Sequence, residues 1–133
     1  MNYNGIAARS VLVKMFDIEE KDIVFMKSRI KNKVKARRFY NYYLWRYKRI
    51  KHYHMDRYII GIHHSSSLYN CRFMERELDV NKKIRKQFIT FMWYADPFEW
   101  EKMKIDMAYS IEELTDIDFK KKYIDSINLK QKK

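Results

Sequence analysis

The sequence predicts an all-α, multi-helix fold, and three observations carry that expectation. Gly and Pro are nearly absent, with 2 Gly and 1 Pro in 133 residues, whereas sandwiches and barrels need many turn residues. Hydrophobic residues make up 47% of the chain, enough for a genuine core and too many for global disorder. Apolar residues recur at spacings of three and four along most of its length, the period of helices with a buried face.

Ile6 to Met15 carries this spacing and forms the first expected helix. Asp17, with Glu20 three residues on, makes a capping-box start for a second, running from Ile18 to about Met26. Lys27 to Lys35 alternates basic residues with Ile30, Asn32 and Val34, a pattern that suits an exposed basic loop. From Ala36 to Lys48, Phe39, Tyr40, Tyr43, Leu44 and Tyr47 fall on one helical face. Tyr42 and Trp45 lie on the other side, so this helix is either covered on two faces or presents rings to a partner; core packing is the simpler account.

A short segment, Tyr53 to Ile60, leads to Gly61 and a longer helix opening at His64, giving the order helix, glycine turn, helix. At roughly 100° per residue, Ser67, Cys71, Met74 and Leu78 share the side that should face the core, with Leu68 at its edge. The opposite side presents Ser65, Ser66, Tyr69, Arg72 and Arg76, groups that donate to phosphates and base edges. One of the serines is expected to cap the helix instead. Val80 to Tyr94 reads as a further helix, Asp96-Pro97 with Glu99 as a fresh start, and Ser110 with Glu113 as another before a last helical stretch, Asp116 to Leu129. Residues 1–95 therefore read as one binding domain, and 96–133 as an acidic, then Lys-rich, helical extension suited to self-association, to a protein partner or to docking on the domain.

The formal charge is +12, and its distribution says more than its sum. Between Lys27 and Arg57 stand twelve Lys or Arg and one acid, Asp56, whereas Asp and Glu dominate from Asp96 to Asp118. A basic middle of this kind implies a polyanionic partner. The single cysteine, Cys71, excludes an internal disulfide. Without a bilayer-length apolar run, or a signal-peptide core in Met1 to Ser10, no membrane role is expected and a cytoplasmic setting is. His52, His54, His63 and His64 lack the i, i+4 spacing that puts two imidazoles on one helix face, which weakens a metal-dependent nuclease reading; no metal or cofactor is expected.

The run Gly61-Ile62-His63-His64-Ser65-Ser66-Ser67-Leu68-Tyr69-Asn70-Cys71-Arg72-Phe73-Met74-Glu75 resembles the DNA-binding domain of the DnaA family of bacterial replication initiators. That family's signature runs roughly Gly-Arg-Asp-His-Thr/Ser-Thr-Val-Leu-His-Ala-Cys-Arg-Lys-Ile-Glu. Gly61, His64, Leu68, Cys71, Arg72 and Glu75 match it, and Ser65, Ser66 and Met74 are near equivalents. Phe16, Ile18, Asp22 and Ile23 resemble the family's opening Tyr-x-Ile-x-x-x-Asp-Leu, and Tyr43-Leu44 its Tyr-Leu pair, so the likeness spans about Val11 to Leu78.

The resemblance implies a Trp-repressor-like helix-turn-helix whose second helix enters the major groove by its amino end, with His64, Ser65 and Ser66 facing the bases. It also implies a basic-loop arginine in the adjacent minor groove, Arg38 or, with the gap one residue earlier, Arg37. His63, Tyr69, Arg72, Arg76, Lys33 and Lys35 complete the expected DNA-binding set. Two departures matter. The family's Arg-Asp is Ile62-His63 here, which removes an acceptor for cytosine and should change the sequence read. No Gly-x-x-x-x-Gly-Lys run is present, so the expected role is non-enzymatic: a transcription- or replication-control factor of phage or mobile-element type, acting in a bacterial cell or a phage-infected host. The rival readings are a sequence-indifferent nucleic-acid binder and a structural or adaptor protein.

Overall fold

The computed structural model describes residues 4–26 and 29–106, and over them the protein is all-α. The elements are α1 (Ile6–Phe16), α2 (Glu20–Val24), α3 (Lys31–Arg46), a 3-10 segment (His52–Arg57), α4 (His64–Val80), α5 (Lys82–Ala95) and α6 (Pro97–Asp106). Among the described residues no helix is long and apolar enough to cross a membrane. The starts expected at Ser110 and Asp116 lie outside the described residues.

α3 is the central element, packed against α1, α2, α4 and the 3-10 segment. Its aromatic run explains this position. Phe39, Tyr40, Tyr43 and Leu44 are fully buried, and so is Tyr42 on the opposite side, which answers the question the sequence left open: both faces are covered. Burial raises the Tyr42 hydroxyl far above its ordinary pKa, with Glu75 acting in the same direction. Phe39 meets Phe16 and Phe88 edge-on at 5.4 Å in both cases, and Tyr43 meets Phe91 at 5.4 Å, so the rings of α1, α3 and α5 interlock. Such edge-to-face pairs contribute about 0.5–1.5 kcal/mol each beyond their burial.

The structure moves several boundaries. α3 begins at Lys31, so the expected basic loop is shortened at its end and Lys31 to Lys35 form the first turns of a helix. Alternating basic and apolar residues there are two faces of one helix rather than loop. α2 opens two residues later than expected. Asp17 instead closes α1 in the left-handed conformation (φ 53), and the Asp22 carboxylate accepts from the Glu19 amide at 2.9 Å. That backbone bond, helped by Lys33, holds the Asp22 carboxyl below its ordinary pKa.

α4 and α5 meet at Asn81. Its Oδ1 accepts from the Ile84 amide at 3.2 Å and its Nδ2 donates to Glu77 Oε2 at 3.1 Å, so one side chain serves two helix ends. Arg85 Nη1 donates to the carbonyls of Leu78 and Asp79, closing the end of α4. Asp96-Pro97 opens α6 as the sequence suggested, with Asp96 Oδ1 accepting from the Glu99 amide at 3.2 Å. Trp100 and Met103 of α6 are buried in the same core, and Trp93 and Trp100 meet at 4.4 Å. A boundary drawn after Ala95 therefore falls inside one packed body.

Candidate nucleic-acid interface

The turn before α4 is built by tying two distant segments together. Ile60 donates its amide to Val24 O at 2.6 Å and accepts from the Met26 amide at 3.3 Å, a parallel bridge centred on Phe25 and Ile60. Arg37 Nη1 donates to Phe25 O at 2.8 Å and ties the same bridge to α3. Gly61 follows with φ 88; a Cβ there would meet only Met26 Cβ, at an ordinary 4.0 Å, so it is the left-handed backbone and not close approach that asks for glycine. The chain then turns into α4 at His64.

His63 caps that helix. Its Nδ1 accepts from the Ser65 amide at 3.2 Å and lies 2.7 Å from Ser65 Oγ, a role the sequence assigned to a serine. An accepting Nδ1 places the neutral ring's proton on Nε2. His64 is held between rings, 4.4 Å from Tyr53 and 4.2 Å from His63.

The expected inward side of α4 is inward: Ser67, Cys71, Met74 and Leu78 are buried and Leu68 is at the edge. Burial, with Glu75 nearby, pushes the Cys71 thiol up to about 12, which makes it a packing group rather than a nucleophile. Ser67 joins a buried polar seam between α3 and α4. Asn41 Nδ2 donates to Ser67 Oγ at 2.9 Å, Asn70 Nδ2 donates to Asn41 Oδ1 at 3.1 Å, and His52 Nδ1 lies 2.7 Å from Ser67 Oγ. The His52 ring stacks on Trp45, and its pKa is lowered by burial and by the charges of Arg72 and His64. The seam fixes how α4 is rotated against α3, and hence which residues it presents.

What α4 presents, together with α3 and the residues before it, is a hollow of about 420 Å³ lined by Met26, Arg29, Val34, Arg37, Arg38, Ser65, Ser66, Tyr69 and Asn70. It lies at the amino end of α4, where first-turn amides favour an anion. Arg38 is aimed across it: the guanidinium carbon sits 4.1 Å from the Phe73 ring centre and 6.0 Å from that of Tyr69, and Nε is 3.4 Å from Asn70 Oδ1. Tyr69, Arg72 and Arg76 are exposed, with Arg76 leaning over Phe73 at 5.6 Å.

Other expected binding residues are placed differently. Arg37 lines the hollow but is only 5% exposed, and its Nη1 donates to Phe25 O, so it anchors the segment before α3. Both Arg37 and Arg38 lie inside α3 rather than on a loop. Lys33 pairs with Asp22 at 3.1 Å and Lys35 donates to Gln87 at 3.0 Å, so both turn away from the hollow. Residues that were not singled out from sequence take part instead: Arg29 and Asn70 line the hollow, and Asn41 supports it. The signal for Asn41 was available, since a lone amide inside the run Phe39 to Leu44 must be satisfied once its neighbours are buried. Among the described residues no group of three or more His, Cys, Asp or Glu could hold a metal ion.

Comparison of the chain with family models, with curated proteins and with solved structures gave no match.

Proposed function

We propose that the protein binds duplex DNA with the amino end of α4 in the major groove, as a small sequence-reading control factor of transcription or replication. The observation that carries this reading is the hollow that gathers Arg29, Arg38, Ser65, Ser66 and Tyr69 at one helix end. Ser65, Ser66 and His64 supply hydrogen-bonding groups at the height of base edges, while Arg29, Arg38 and Arg72 supply cations for the flanking backbone. The left-handed Gly61 and the cap at His63 support a helix-turn-helix, with a 3-10 segment in place of its first helix. The DnaA-like signature supports the same orientation of α4. Arg38, braced on Phe73, would approach the backbone or the minor groove from α3 rather than from a loop.

Titration of duplex DNA into isotope-labelled full-length protein tests this directly. Amide shifts should concentrate on residues 63–70 and on the side chains of Arg29 and Arg38. Shifts confined to other surfaces would contradict it.

Sequence-indifferent binding to unpaired strands is the second reading, and Tyr53 favours it. This ring is 72% exposed and already stacked on His64, as a base platform would be. Stronger binding to an oligothymidine than to any duplex would select that reading.

A further inference from the structure

The hollow at the amino end of α4 does not stop at Arg38. A second hollow of about 320 Å³ shares Arg29, Val34 and Arg38 with it and runs between the start of α3, the middle of α4 and the start of α5. Lys31 and Lys35 line this second hollow, and beyond Ile84 the first turns of α5 carry Lys82, Lys83 and Lys86 around a third. Lys35 links the two helices through its 3.0 Å bond to Gln87.

Three of these lysines, Lys31, Lys35 and Lys83, lie close enough to act on one another. Burial lowers the Lys35 pKa, Lys83 and Lys31 lower it further by like-charge repulsion, and Glu77 acts against them. A cation is thus held beside two others, an arrangement that an anion lying along the strip would relieve. The apolar floor offers a protein partner little: Met74 and Ile84 are buried, and Phe73 is covered by the Arg38 guanidinium. Lys31, Lys82 and Lys83 are exposed at the rim of the strip, and the partner that fits a row of such cations is a phosphate backbone.

We propose that Lys31, Lys35, Lys82, Lys83 and Lys86 form a second backbone track, continuous with the hollow at α4, that engages duplex phosphates flanking the base pairs α4 reads. The proposal rests on the DNA-binding reading above and extends it to residues outside the DnaA-like signature. The track adds affinity without sequence preference and lengthens the protected site on one side.

The test compares Lys83→Gln/Lys86→Gln with Lys21→Gln/Lys102→Gln, both in the full chain. The second pair removes the same charge from lysines that face Glu19 and Glu99. Each neutralised phosphate contact contributes about 0.9 to the slope of log K against log salt. The strip variant should therefore have a slope shallower by about 2 and should lose hydroxyl-radical protection on one flank, with the preferred base sequence unchanged. The control should keep the wild-type slope and flank. Equal slopes and equal footprints for the two variants would overturn the track. Failure of the α4 reading looks different: the wild type would then protect no defined sequence, and the slopes of the two variants would still decide the strip. Absence of duplex binding by the wild type overturns both.

Discussion

Two regions flank α3, and they are built on opposite principles. Toward α1 and α5, α3 meets interlocking rings, Phe16, Phe39, Phe88 and Phe91, in which shape and area do the stabilising. Toward α4 its Asn41 meets Ser67 and Asn70, and Ser67 in turn meets His52, polar groups joined by hydrogen bonds. An apolar contact of equal area would hold α4 at least as tightly but would tolerate rotation of the helix. Hydrogen bonds of fixed direction do not. The ring side keeps the protein folded, and the polar side sets which residues of α4 face outward.

Phe88→Ala and Asn41→Ala separate these roles. Phe88 is fully buried at the centre of the rings, so its truncation should cost about 3–5 kcal/mol in urea unfolding. Asn41→Ala leaves Ser67 and Asn70 short of a partner and should cost less, about 1–3 kcal/mol, but DNA affinity should fall beyond what lost stability explains. Equal effects of the two variants on binding, at temperatures where both are folded, would remove the distinction.

Asp96 sharpens the comparison, because it is a charged group on the ring side. Burial opposes its ionisation, but the 2.7 Å contacts to Lys48 and Tyr43 and the Glu99 amide outweigh burial and hold its carboxyl below the ordinary range. A depressed folded pKa contributes stability that is present above the unfolded value, near 4, and is lost as pH falls through the folded one. Asp96→Asn should therefore be less stable than wild type by about 1 kcal/mol at neutral pH, and the gap should close on acidification below about pH 4. A gap that stays constant with pH would show that the ionised carboxylate contributes nothing.

Helix existence and buried faces were legible in the sequence because they follow from periodicity. The inward set Ser67, Cys71, Met74 and Leu78 is an example, and so is the Asp96-Pro97 start. The start of α3 was not legible. Lys31 to Lys35 carry no capping residue before them, and Ile30 stands at the cap without a side-chain bond, so nothing local announced a helix. Long-range pairing was equally silent: no local pattern connects Phe25 to Ile60, and without that bridge the purpose of Arg37 cannot be read. Of the candidate site, the reading edge of α4 could be read because it is the complement of its buried face. The α3 contribution could not, because it depends on how two helices cross.

The most direct measurement is selection of bound duplexes from a random DNA pool at about 150 mM salt, where weak surface electrostatics are damped. It would be run on wild type, Ser66→Ala and Arg38→Ala. An enriched motif whose base preference changes with Ser66→Ala, and whose affinity falls with Arg38→Ala without change of motif, is the predicted result. No enrichment for the wild type, with affinity that collapses as salt rises, would contradict the account and leave a basic protein that binds nucleic acid by charge alone.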